Sequence, residues 1–387
     1  MKQPIRIGFL QPYSSIYPYF AEHLLTGFFL GFGRDPFRQN DIQFIPHFVE
    51  SGSGTKVAEG ARKLLQFDQV DMLSGLINYA ALPELTPILE QKQKLGFFFD
   101  LGDSIPKFDY LSPNVFFSSN QLWQSQFALG QWAPKHFGTP GVILMPIYDA
   151  GYDLHTSFQQ GLSWSGGGEV LLSVVNAKEK NPNKMRVRPY LKEVKKTAPA
   201  FVHALFSGPN GVEFLKEWVD CGLNKEIPLV VSEPMTYPEW LADVQHLDLE
   251  LYTASLYDPE DVSKQNRKFK QKFAKTARQP VNTFALLGYE AGLLFKEVFS
   301  QLKKRDFDTV KKRFQSETIR GPRNERSFYP DGGFSLPPIN IVKINTSRTG
   351  IRKMVIDQGQ PLKYNETIFE DIRKAMPTGW QNPYLCY

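Results

Sequence analysis

At 387 residues the chain exceeds what one hydrophobic core usually serves, so two lobes are expected. Its 42% hydrophobic and 22% charged residues are those of a globular protein, and a net charge of +5, spread over helix faces rather than gathered in a tail, argues against a nucleic-acid partner. No run of about 18 apolar residues is present to span a membrane, and Cys221 and Cys386 are too few and too far apart for a zinc site or a disulfide framework, although they could pair.

In chain order, strand patterns alternate with helix patterns. An apolar strand over 5–10 leads into a loop carrying Pro12, Ser14, Ser15, Tyr17 and Tyr19, then an apolar helix near 22–33 and a strand over 42–49. Thr55 is placed to cap a helix whose Val57, Ala61, Leu64 and Leu65 share one face. A strand over 70–74, a helix near 80–93, a strand over 95–100 and one over 115–118 complete a first series. After a helix near 122–136 the rhythm restarts: strands over 141–145, 169–175, 200–206 and 227–232 alternate with helices near 153–164, 187–196 and 211–221. Such alternation implies parallel sheets covered by helices on both faces, an α/β fold. A strand over 250–255 then precedes two amphipathic helices, near 259–277 and 283–304, and the basic run Lys303 to Arg313 brackets Phe307 and Val310 at helical spacing. The stretch RGPRNERSFYPDGG separates these from strands over 339–344 and 352–356, and the last thirty residues read as irregular.

Catalytic and metal signatures are missing from the sequence. His23, His47, His136, His155, His203 and His246 show no metal-ligand spacing, and SGSGTK at 51–56 reads as a turn and helix cap, since its lysine follows the threonine instead of preceding it. No serine sits in a nucleophile elbow and no Gly-x-Gly-x-x-Gly follows the first strand. No enzyme, metal or cofactor is therefore expected. What stands out is a set of polar and aromatic residues at successive strand ends: Asn78 and Tyr79; Gly102, Asp103 and Ser104; Tyr148, Asp149 and Tyr152; Ser207; and Glu233. In open parallel sheets ligands sit just beyond the carboxyl ends of the strands, so these positions outline a cleft between two facing sheets. The aromatic share, 14% with 31 Phe, favours large apolar contact surfaces in cores or in a pocket.

The order of elements and the local strings IRIGFL, Thr26–Gly27, LLQFDQVD, QVDMLSG, YDAGYDL, VDCGL before IPLVVSEP, ALLGYEAGLLF and GPRNERSFYPDGG resemble type I periplasmic binding proteins of the leucine/isoleucine/valine-binding group, the substrate-binding components of ABC importers. The resemblance covers the chain to about residue 356. It implies two Rossmann-like lobes joined by three hinge strands, lobe 1 being 1–118 plus 256–334 and lobe 2 being 119–255 plus 335–387, with a small-molecule ligand closing them. It further implies an inner-membrane permease as partner, no cofactor and a monomer. The first residues lack a signal peptide's basic and apolar segments, so the chain is expected either to be cytosolic, as a ligand-sensing regulator of the same fold would be, or to be a mature periplasmic protein whose export signal has been removed.

By the same resemblance Ser14, Tyr19 and Phe20 occupy the first cleft loop. Asn78 and Tyr79 stand in the loop that gives amino-acid binders their Ser and Thr donors, and Gly102, Asp103 and Ser104 stand in the third. Tyr152 matches the aromatic position of the second lobe. Trp123 either stacks on a ligand or packs its helix. Glu233 matches the acceptor of a ligand ammonium, and it reads equally as a helix-end carboxylate before Pro234. Fewer hydroxyl donors and more rings favour a mostly apolar or aromatic ligand over a leucine-like zwitterion.

Overall fold

A computed structural model describes residues 3–38, 40–106, 112–148, 152–178, 181–328, 335 and 338–363. The first series supplies β1 (Ile5–Gln11), α1 (Phe20–Phe32), β2 (Ile42–Phe48), α2 (Gly54–Gln66), β3 (Met72–Leu76), α3 (Leu82–Gln91), β4 (Gly96–Asp100) and β5 (Val115–Ser119). Its five strands form one parallel sheet in the order β2-β1-β3-β4-β5. The inner strands are buried on both faces, as a parallel sheet requires, which is why Phe97, Phe98 and Phe99 can follow one another without a polar residue between them.

The second series supplies α4 (Leu122–Phe137), β6 (Gly141–Pro146), α5 (Leu154–Trp164), β7 (Val170–Val175), a small hairpin β8 (Ala177–Lys178) and β9 (Asn181–Met185), α6 (Val187–Thr197), β10 (Phe201–Ala204), α7 (Gly208–Asp220), β11 (Leu229–Val231), α8 (Pro238–Val244) and β12 (Glu250–Ser255). Three helices follow, α9 (Lys264–Ala277), α10 (Thr283–Lys304) and α11 (Phe307–Ser316), then the hairpin β13 (Thr318–Gly321) and β14 (Asn324–Ser327), and finally β15 (Ile339–Ser347) and β16 (Gly350–Gly359). The second sheet runs β16-β15-β12-β11-β10-β6-β7, parallel except where β15 pairs antiparallel with β12 and β16.

The late helices return to the first sheet. Phe295 of α10 and Phe314 of α11 pack on Phe97 of β4 with ring centroids 5.2 and 5.3 Å apart. Helix α10 lies so close to α1 that glycines are required at the crossing: a Cβ on Gly27 would sit 2.2 Å from the Ala285 carbonyl oxygen, and one on Gly288 2.0 Å from that of Leu24. The α/β reading and the two helix-covered sheets are thus observed.

Several local expectations are corrected. Ser53, not Thr55, caps α2, its hydroxyl accepting from Lys56 N. Helix α9 starts at Lys264 rather than 259, because Asp258 and Asp261 turn the chain through side-chain bonds to Glu260 N and Ser263 N before Ser263 caps the helix. The expected helix at 211–221 begins earlier, at Gly208, with Pro209 in its first turn. The hairpins β8–β9 and β13–β14 and helix α8 are additional. Cys221 is half-buried, and Cys386 lies outside the described residues, as does Asp149.

Candidate functional site

The chain crosses from the first sheet to the second at Asn120–Gln121, between β5 and α4, and returns just after β12. Glu233 sits where these crossings meet. Its Oε1 accepts from Ser255 Oγ and from Leu256 N, both at 3.0 Å, and its Oε2 accepts from Asn120 Nδ2 at 3.4 Å. Burial raises its pKa against those three donors. Asn120 in turn accepts from Arg323 at 3.2 Å, and Arg323 forms a forked pair with the buried Glu290 at 2.6 and 3.1 Å, with Arg326 at 3.6 Å on the same carboxylate. The arginines hold the Glu290 pKa below its ordinary value although burial opposes this. Gln121 Nε2 reaches the Ser335 carbonyl at 2.8 Å, tying a third segment to the first crossing.

At the strand ends of the first sheet, Asn78 Nδ2 donates to Asp103 Oδ1 and Ser104 Oγ, each at 3.1 Å, while its Oδ1 caps the following turn through Ala80 N at 2.8 Å. Gly102 has φ +75, and a Cβ there would lie 2.4 Å from the backbone of Gln121, so the third loop can close on the first crossing only with glycine. Asp103 is buried, and that burial pushes its pKa up to about 7. The loop also touches the second half of the chain: Asp153 N donates to the Asp103 carbonyl at 2.9 Å, and Asp153 Oδ2 accepts from Ile105 N at 2.8 Å. Asp100, deeper at the end of β4, accepts from Ser119 Oγ at 2.5 Å and is pushed well above the ordinary carboxylate range by burial.

The first loop reaches across to the second sheet. Tyr19 donates its hydroxyl proton to Glu239 of α8 at 2.5 Å, and its ring lies 4.8 Å from that of His23. His23 Nδ1 meets Asn282 Nδ2 at 2.6 Å; since Asn282 Oδ1 is used to cap α10, the imidazole is the acceptor and is neutral, in line with the burial that lowers its pKa. Tyr17 packs on Phe284 at 5.4 Å and near Tyr237 at 6.5 Å, and Ile16 lies against Gly208 at the start of α7.

The sequence-derived candidates therefore separate. Asn78, Gly102, Asp103 and Ser104 come together as one bonded cluster. Tyr19 bridges to α8, and Glu233 both opens a short helical turn, Glu233–Thr236, and joins the crossings. Ser14 is buried and accepts from Tyr17 N at 3.0 Å, which shapes the loop. Phe20, Trp123 and Tyr152 lie in the main apolar core, and Tyr79 packs on Phe117 at 4.5 Å inside a second apolar cluster with α2 and α3. Ser207 is half-buried at the start of α7.

A cavity of about 240 Å³ opens beside Glu233 between the two halves. Tyr237 and Pro238 bound it from one side, Ser255 and Tyr257 from the return crossing, and Ala274, Pro280, Val281 and Asn282 from α9 and the start of α10. Lys353 of β16 and Lys270 of α9 supply its cations. Sequence reasoning missed Lys353, Tyr237 and Tyr257; nothing in their local pattern marks them, since the cavity exists only once β16 and α9 are brought to the same edge. Among the described residues no group of three His, Cys, Asp or Glu side chains is arranged to hold a metal, and no helix is long and apolar enough to cross a membrane.

Residues 4–349 match the family model described as periplasmic binding protein. No curated protein is similar enough in sequence to match. Among solved structures, a solute-binding protein of an ABC transporter from Rhodopseudomonas palustris BisB5, in complex with 3,4-dihydroxybenzoic acid, is 20% identical over 93% of this chain and 98% of its own, with a TM-score of 0.76. Another from R. palustris, in complex with benzoate, is 20% identical over 92% and 97% at a TM-score of 0.72. An ABC transporter substrate-binding protein from Desulfitobacterium hafniense, in complex with Leu, is 17% identical over 91% and 100% at 0.64. Two helix-covered sheets, chain crossings knotted at Glu233 and a family match over nearly the whole length lead to one conclusion: this chain belongs to the periplasmic binding protein family and has the fold of the solute-binding components of ABC transporters.

Proposed function

We propose that the protein captures a small organic molecule with a mainly apolar or aromatic body between two lobes, residues 1–118 with 256–334 and residues 119–255 with 335–387, and presents it from the periplasm to an inner-membrane ABC permease without altering it. The observation that carries this reading is the cavity of about 240 Å³ walled by Tyr237, Tyr257, Pro280 and Val281, with elements of both halves on its rim. An engineered apolar cavity of about 150 Å³ holds a benzene, so this one has room for a single ring with substituents. Two relatives of the same fold were found with hydroxylated or plain benzoic acids and one with leucine, which supports a ligand of this size.

Binding to the native state raises its stability by about 2.7 kcal/mol when ligand is at a hundredfold excess over Kd. A thermal-shift screen of amino acids, amides, aromatic acids and short lipids, followed by calorimetry, is expected to give a saturable rise in Tm for one class, with the ligand recovered chemically unchanged. A flat response across all four classes, or recovery of a product, overturns the reading.

A further inference from the structure

Of the charged groups around this cavity, three carboxylates already have partners. Glu233 accepts from Ser255, Leu256 and Asn120; Glu260 pairs with Lys270 at 3.0 Å; Glu239 accepts from Tyr19. Asp258, near the rim, accepts from Glu260 N at 2.9 Å. Lys270 is further held by the Pro259 carbonyl at 2.5 Å. Lys353 is different. Its ammonium makes one hydrogen bond, to the Thr236 carbonyl at 3.3 Å, and no carboxylate among the described residues lies within ion-pair distance of it. An ammonium carries three donors, so two are left to solvent or to a ligand at the cavity rim.

We infer that this cavity takes an organic acid and that Lys353 holds its carboxylate, with the apolar body between Tyr237, Tyr257 and Val281. The inference rests on the solute-binding reading above and adds the sign of the ligand's charge. Protein packed around the ammonium lowers the Lys353 pKa, while Glu233, Asp258, Glu260 and Glu239 act in the opposite direction and favour the charged form. Those carboxylates oppose the loss of its charge, and none of them pairs with it. The two donors on Glu233 Oε1, Ser255 and Leu256, and the third, Asn120 at 3.4 Å on Oε2, commit that carboxylate to the junction of the two crossings.

Three probes that share one ring and differ in charge decide it: benzoate, benzamide and benzylamine, titrated calorimetrically into the native chain and into Lys353→Met and Lys353→Gln. The expected result is binding of benzoate in preference to the other two, a loss of about tenfold or more in benzoate affinity in both variants, and benzamide affinity unchanged. Circular dichroism verifies that the variants fold, which the exposed position of Lys353 on an edge strand favours. Equal benzoate affinity in native and variant chains, preference for benzylamine, or no benzoate binding by the native chain each overturns the inference. In the last case, saturable binding of another solute in the screen above leaves the solute-binding reading standing, whereas no binding of any class removes both.

Discussion

Asp103 shows how a single side chain at a strand end carries a measurable consequence. Its carboxyl has an ordinary pKa near 4 in the unfolded chain and about 7 when folded, so folding binds a proton there. The stabilising contribution is fully present below about pH 4 and is lost as pH rises through 7. Stability is therefore expected to be lower at pH 8 than at pH 5, by on the order of 3 kcal/mol from this group, and Asp103→Asn should remove about that much of the pH dependence while keeping the bond from Asn78. Denaturant midpoints at the two pH values test this; an equal slope in the variant places the effect elsewhere, Asp100 being the neighbour of the same sign. The position of Asp103 was legible in the sequence because parallel strands deliver their ends to one side of the sheet. The direction of a side chain was not: Tyr79 follows Asn78 immediately, yet one residue joins the polar cluster and the other turns into the apolar layer beneath α2 and α3. A strand end specifies a place, and only packing decides which neighbour faces the solvent side of it.

At the level of elements, strings that supported the resemblance turn out to be crossing points. Thr26–Gly27 in α1 and the glycines of ALLGYEAG in α10 are the residues that let the two helices touch backbone to backbone: Gly31 lies opposite the Tyr289 carbonyl, and Gly292 opposite that of Phe28. Likewise Glu290 of the same string and the two arginines of GPRNERSF, far apart in sequence, form one buried ionic cluster. Sequence periodicity reveals a helix and its apolar face, whereas the partner of that face, and the reason for a glycine in it, come only from the crossing. Gly288→Ala should cost about 1–3 kcal/mol or more, since the added methyl meets the Leu24 backbone and the helices must separate. Gly211→Ala in α7, whose nearest atoms are side-chain carbons 3.5 Å or more away, is the matched control and should be neutral or stabilising by about 0.5–1 kcal/mol. Thermal melts of both variants check the pair; similar losses in each show that crossing distance is not the cause.

For the whole molecule, the issue is what holds the two halves together. Tyr19 and Glu239 supply a direct contact between the loop that enters α1 and helix α8, at 2.5 Å and only partly buried. Tyr19→Phe removes that hydrogen bond and leaves the ring contacts with His23 and Phe284 in place. A hydrogen bond to a charged acceptor is worth about 1.5–3 kcal/mol, less where water competes, so the variant is expected to populate a more open arrangement with a larger radius of gyration in the absence of ligand. Small-angle scattering of both proteins measures this, and identical profiles show that the apolar contacts of Ile16 and Tyr17 suffice for closure. The two-sheet plan itself was readable from the alternation of elements. The closing contacts were not, because Glu239 belongs to a short helix whose pattern is too brief to announce it.

The return of α10 and α11 to the first sheet also bears on synthesis. Strands β1 to β5 are complete at Ser119, but the helix that covers Phe97 on one face begins at Thr283. At a translation rate of about 5–20 residues per second, that face waits on the order of ten seconds for its cover. During this interval the emerging chain carries an uncovered row of phenylalanines and, in α1, two crossing glycines, Gly27 and Gly31, with nothing to cross. The first sheet thus cannot finish folding in the order in which it is made, and the nascent chain is left as a natural client for a holding chaperone until its last third is synthesised.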